Sequence, residues 1–195
     1  MDYRLEQWVN GPAGHYAALD AVMRDAASWG QWIFGGIVVV WFLYAWLAGG
    51  AADRRGALAA PLGAVIALGI NQVISNIWAR PRPFVAHPGS VHILLAYSRD
   101  AGFPSDHAAA GFAIATVLVL VHRRWGALAL AAAVLMSYAR VFDGLHYPGD
   151  VLAGAVVGVG VAWALMRWGA RPLAAIQTRL DATAGTLRLP VPRAP

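Results

Sequence analysis

The sequence contains no cysteine, no lysine and a single glutamate, Glu6, in 195 residues. Without cysteine, disulfide frameworks, thiolate metal sites and cysteine nucleophiles are excluded. Charge of any kind is scarce: 13% of residues are charged and 59% are hydrophobic before the 21 glycines are counted. Soluble domains average about 25% charged and about 45–50% apolar with glycine included. The balance rules out disorder and argues against an ordinary water-soluble fold. With one Glu and no Asp-rich cluster at ligand spacing, no carboxylate metal site is apparent, and no metal or other cofactor is expected. What positive charge there is comes from arginine alone: all 15 basic residues are Arg, the net charge is +5 and the pI is about 10.2. That suits nucleic acid or an anionic membrane surface, and the position of each Arg decides between them.

Five strongly apolar stretches carry no Asp, Glu or Arg: 26–52, 56–79, 107–122, 125–139 and 151–166. They hold half the chain. A membrane-spanning helix needs about 20 apolar residues, with about 17 workable. The first two stretches qualify outright, and the other three reach that length by extending a turn into their polar flanks. The expected fold is therefore all-α and integral to the membrane. About five transmembrane helices are expected, near 30–49, 58–79, 105–122, 125–141 and 149–168, with a sixth if the N-terminal segment inserts. Residues 1–29 form an N-terminal segment whose 3–27 portion reads as a partly amphipathic surface helix broken at Gly11-Pro12. Residues 30–170 form the transmembrane domain, and 171–195 a loosely held tail with one short helix. The start lacks the basic region and immediate apolar run of a signal peptide. Gly154 and Gly158 form a G-x-x-x-G in the last span, a pattern for close helix packing.

The arginines give the orientation. Arg54 and Arg55, then Arg123 and Arg124, then Arg167, Arg171 and Arg179 fall on one side, which should be the cytoplasm. The 80–104 loop and the 142–148 turn then face outward. Trp29, Trp32, Trp46, Trp78, Trp125 and Trp168 lie near helix ends, where interfacial belts form. Arginines spent on topology leave no basic stripe for nucleic acid, so the partner is the lipid bilayer.

Three clusters of polar residues converge on the outward side. The first is Arg80-Pro81-Arg82-Pro83-Phe84, the second Phe103-Pro104-Ser105-Asp106-His107, and the third Arg140 with His146 and Asp150. Guanidinium groups grip phosphate oxygens in bidentate fashion, and the free N–H groups at a helix start add donors. Ser105 suits both an N-cap and an oxyanion contact. Two histidines beside such a site suit nucleophilic attack on phosphorus and proton transfer to the leaving oxygen. Asp150, four residues after His146, is placed to accept the ring N–H if the segment is helical there. His15, His87, His92 and His122 lack such partners.

These motifs resemble those of the type 2 phosphatidic acid phosphatase (PAP2) superfamily: Lys-x6-Arg-Pro, Pro-Ser-Gly-His and Ser-Arg-x5-His-x3-Asp. They align here as Ser75 through Arg82-Pro83, as Pro104-Ser105-Asp106-His107, and as Ala139-Arg140-x5-His146-x3-Asp150. Ser75, Asp106 and Ala139 depart from the pattern. Together the variants are similar to the bacitracin-resistance branch of undecaprenyl-diphosphate phosphatases. The resemblance implies a PAP2/haloperoxidase-like helical core and metal-independent hydrolysis of a polyprenyl diphosphate, at the outer face of a bacterial inner membrane. It implies that His146 forms a phosphohistidine, Asp150 orients it, His107 serves as acid and base, and Arg82, Arg140 and Ser105 hold the phosphoryl group. Arg80 and Ser75 are further phosphate-site candidates, since Asn71, Gln72, Ser75 and Asn76 put polar groups inside an apolar span. The alternatives are a phosphatidylglycerol phosphate or phosphatidate phosphatase of the same superfamily, and a small anion transporter.

Overall fold

The computed structural model describes residues 1–96 and 99–186. Among them are eight helices: α1 (Asp2–Asn10), α2 (Ala17–Leu47), α3 (Ala51–Ile77), α4 (Pro83–Ala86), α5 (Asp106–Val121), α6 (Arg123–Phe142), α7 (Pro148–Trp168) and α8 (Ala170–Thr186). Helices α2, α3, α6 and α7 are long and apolar enough to cross a membrane, and α5 is a shorter apolar helix. These five match the expected spans. Residues 187–195 of the expected tail, and Tyr97 and Ser98 of the 80–104 loop, lie outside the described residues.

Helix α5 occupies the centre, packed against α3, α6 and α7. Its sequence is rich in alanine, and Ala108, Ala109, Ala113 and Ala115 are fully buried. Small side chains let neighbouring backbones approach, which substitutes for the hydrophobic drive that lipid surroundings remove. The closest approach is made by α7. A Cβ on Gly154 would strike the Ser105 carbonyl oxygen, and one on Gly158 the Ala109 carbonyl oxygen. The outer surface of the bundle carries exposed Val39, Val40, Leu43, Val65, Val73, Leu128, Leu152 and Val156. Trp78, Trp125 and Trp168 are exposed near helix ends, whereas Trp29 and Trp32 are exposed midway along α2.

Three departures from the sequence expectation concern the ends of the chain and its charges. Helix α1 does stop before Gly11, but α2 starts at Ala17 and runs unbroken through residue 29 into the first apolar span. The tail begins with the 17-residue α8, whose Leu173 is buried and whose Asp181 lies 3.3 Å from Arg54. Arg54 is accordingly buried within α3, where it also donates to the carbonyls of Ala45 and Gly49. At the same end Asp53 receives the Gly50 N–H at 3.0 Å and faces the His122 ring.

Because a side chain at Gly158 meets backbone, Gly158→Leu should lower thermal stability in detergent by about 1–3 kcal/mol, the usual range for overpacking. Gly160 has open space around its Cα, so Gly160→Ala should stay within about 0.5 kcal/mol. Equal melting curves for the two variants would contradict the packing described.

Candidate active site

The site hangs from three helix ends. Ser105 caps α5, its hydroxyl accepting from the Ala108 N–H at 3.5 Å, and its own N–H donates to the Asp150 carbonyl at 3.0 Å. That bond ties the starts of α5 and α7 together. Pro148 occupies the first turn of α7, and the Asp150 carboxylate reaches back to accept the Tyr147 N–H at 2.9 Å, the carboxylate half of a capping box. Helix α6 ends at Phe142, and the chain reverses through Gly144 at φ +74 before reaching His146. Only glycine serves there, because a Cβ would also run into Val91.

Between these ends lies a cavity of about 380 Å³. Its lining includes Arg82, His107 and His146 on one side and the polar face of α3, with Asn71, Gln72, Ser75 and Asn76, on the other. Asp100 and Asp106 also reach it. The amides of α3 are thus turned toward the site. Asn71 makes an interhelical bond as well, donating to Asp106 on α5 at 3.0 Å.

The hydrogen-bond partners of His146 define its tautomer. One ring nitrogen, Nδ1, lies 2.9 Å from the Gly102 carbonyl oxygen, which can only accept. The other, Nε2, lies 3.1 Å from Nη1 of Arg82, which can only donate. The proton is therefore on Nδ1, and the Nε2 lone pair faces Arg82. His146 is buried, and burial holds its pKa well below the usual histidine value, reinforced by the charges of Arg140 and Arg82. Arg82 also donates to the Leu145 carbonyl at 3.1 Å and pairs with Asp100 at 3.0 Å. The Asp100 carboxylate thus occupies one edge of the guanidinium.

Other expected residues fall into different positions. Arg140, buried in the last turn of α6, points Nη1 at Nε2 of His107 at 3.5 Å. Ser105 is fully buried and acts as a helix cap, outside the lining of the cavity. Two expectations need correction. Asp150 does not take the His146 ring proton: Oδ2 is 3.6 Å from Nδ1, and the Gly102 carbonyl fills that place. The reason is local, since α7 begins at Pro148 and His146 lies before the helix, so the four-residue spacing does not stack the two side chains. Arg80 does not line the cavity either. Its Nη1 is held between Asp150 at 2.8 Å and Asp2 at 2.7 Å, and its guanidinium lies 3.9 Å over the Tyr147 ring. Sequence reasoning missed Gly102, whose contribution is a backbone carbonyl, along with Asp100 and Asp2. Only the acidic character of the last two was visible.

Comparison with known proteins agrees with this architecture. A family model described as the PAP2 superfamily matches residues 56–173. Undecaprenyl-diphosphatase BcrC of Bacillus subtilis is 31% identical over 168 residues, covering 86% of this chain and 84% of that protein. The crystal structure of LpxE from Aquifex aeolicus superposes with a TM-score of 0.67 at 23% identity, covering 86% of this chain and 95% of that one. A PAP2-type phosphatidylglycerolphosphate phosphatase from Bacillus subtilis superposes with a TM-score of 0.65 at 21% identity, over 87% and 85% of the two chains. The last two show a shared fold. With these relatives and its five apolar helices, the protein is a multi-pass membrane protein.

The environment of His146 makes a spectroscopic prediction. On lowering the pH through about 6.5, where free histidine titrates, its ring should remain neutral with the proton on Nδ1. Nitrogen NMR of histidine-labelled protein checks this, and a His146 midpoint at the ordinary value would contradict the burial and charge environment.

Proposed function

The chain belongs to the PAP2 superfamily, and from that premise we propose that it is a membrane lipid phosphatase that hydrolyses undecaprenyl diphosphate to undecaprenyl phosphate. The observation that carries the reading is the His146 tautomer. A neutral imidazole presents its Nε2 lone pair beside Arg82, and a second histidine lines the same cavity. The substrate assignment is supported by the 31% identity to a Bacillus undecaprenyl-diphosphatase over most of both chains.

In this mechanism the terminal phosphate displaces Asp100 from the Arg82 guanidinium. Arg140 turns its Nη1 from His107 to a phosphoryl oxygen, and the freed Nε2 of His107 takes up a proton from solvent. Nε2 of His146 attacks phosphorus, forming a P–N bond as the bridging P–O bond breaks. The bond electrons leave on the lipid phosphate oxygen, which His107 protonates. The Gly102 carbonyl stays on Nδ1–H and stabilises the positive charge that the ring acquires. Water then attacks phosphorus as His107 takes its proton, the P–N bond breaks, and inorganic phosphate leaves. Asp150 acts by positioning the loop and by its negative charge near the ring. Ser75 and Asn71, on the cavity-facing side of α3, contact phosphate where the family pattern has Lys. The cavity opens at the end of the bundle opposite the Arg54, Arg55, Arg123 and Arg124 end. By the positive-inside rule it faces the outside of a bacterial inner membrane.

Phosphate release should be measured in detergent from undecaprenyl diphosphate, phosphatidylglycerol phosphate and phosphatidate, for wild type and His146→Ala. The reading expects preference for the diphosphate, abolished in His146→Ala, with acid-quenched wild type carrying label from the terminal phosphate on His146. A fully active His146→Ala would sink the mechanism, and preference for either phospholipid would move the substrate within the superfamily. For the cavity wall, Ser75→Ala should lower kcat/KM measurably and Arg82→Ala should abolish it. An unchanged Ser75→Ala beside a dead Arg82→Ala would remove Ser75 from the phosphate site.

A further inference from the structure

Helix α1 is an amphipathic helix turned inside out. Asp2, Glu6 and Asn10 recur every four residues and so share one face. Glu6 and Asn10 are buried, while Leu5 and Trp8 are exposed. The polar face touches the segment that carries His146 at both ends. At its start, Nδ2 of Asn10 donates to the Phe142 carbonyl at 2.7 Å and to the His92 carbonyl at 2.8 Å. At its end, Oδ1 of Asp2 accepts the Gly149 N–H at 2.9 Å. A Cβ on Gly149 would intrude on that carboxylate at 2.7 Å, so the glycine admits the contact.

The Asp2 carboxylate also reaches toward the reacting ring. Its Oδ2 pairs with Nη1 of Arg80 at 2.7 Å, and the same Nη1 holds Oδ1 of Asp150 at 2.8 Å. The other oxygen of Asp150 accepts the N–H of Tyr147, the residue next to His146. Between Asp2 and Asn10, Glu6 is fully buried, and neither carboxyl oxygen takes a hydrogen bond among the described residues. Burial pushes its carboxyl up to about 7. Near neutral pH the carboxyl is therefore partly protonated, which reduces the negative charge held beside the loop.

We propose that α1 is a strap for the catalytic loop and that Asp2 is a positioning residue, acting on His146 through Arg80 and Asp150. The inference rests on His146 being the nucleophile, as proposed above. Losing Asp2 releases the α7 start and leaves Arg80 with one carboxylate, so the ring is less often aligned for attack. Substrate contacts are untouched. The expected signature is therefore a fall in kcat at nearly constant KM.

The test combines kinetics with hydrogen exchange on the full chain in detergent, using Asp2→Ala, Asp2→Asn and the control Arg4→Gln on the exposed face. For whichever panel lipid the wild type turns over, Asp2→Ala should lower kcat on the order of tenfold with KM within about twofold. Asp2→Asn keeps an acceptor for the Gly149 N–H and should fall between Asp2→Ala and wild type. Arg4→Gln should match wild type. Amides of 142–150 should exchange faster in Asp2→Ala, with the remainder of α6 and α7 and the other transmembrane helices unchanged. Wild-type kcat, or wild-type exchange across 142–150, in Asp2→Ala would overturn the proposal. A wild type inactive on every lipid refutes the function reading instead, while the exchange comparison still decides whether α1 holds the loop.

Discussion

One backbone hydrogen bond organises the functional end of this protein: the Ser105 N–H to the Asp150 carbonyl. It joins the starts of two helices whose backbones are already pressed together by Gly154 and Gly158. Because the contact is backbone to backbone, a shift of either helix would carry His107 and His146 together. The Ser105 and Asp150 side chains are engaged beside this joint, Ser105 accepting the Ala108 N–H and Asp150 the Tyr147 N–H and Arg80. His107 and His146 line the cavity instead.

The absence of lysine divides the work among arginines by environment. Arg54 is buried and bonded to Asp181 and backbone carbonyls, fixing α8 to the bundle. Arg80 crosslinks two carboxylates and covers Tyr147. Arg82 and Arg140 address the histidines. A planar guanidinium can hold several acceptors at defined angles, which a single ammonium cannot do with the same directionality. Arg82 uses that capacity fully, contacting Asp100, the Leu145 carbonyl and His146.

The apolar spans were legible because a run without charge leaves few alternatives to a membrane helix, and all five appear. The convergence of Arg82, His107, Arg140 and His146 was legible from motif spacing. The role of Asp150 was misread because spacing says nothing about where a helix begins. With α7 starting at Pro148, the four-residue interval stops being a helical turn. Arg80 was misread because its two carboxylate partners come from distant parts of the chain, and composition cannot pair them. Gly102 contributes only a carbonyl, which any residue would supply. Helix α1 has the pattern of a surface helix, but its polar face is the one it buries.

The shortness of α5 has a consequence for what can enter. Asp106, its first residue, is bonded to Asn71, yet α3 continues another six residues to Ile77 before the exposed Trp78. At about 1.5 Å per residue, that puts the reacting end about 9 Å below the rim. The floor of the cavity is thus recessed. An entering group has to pass the end of α3 before it meets His107 and His146.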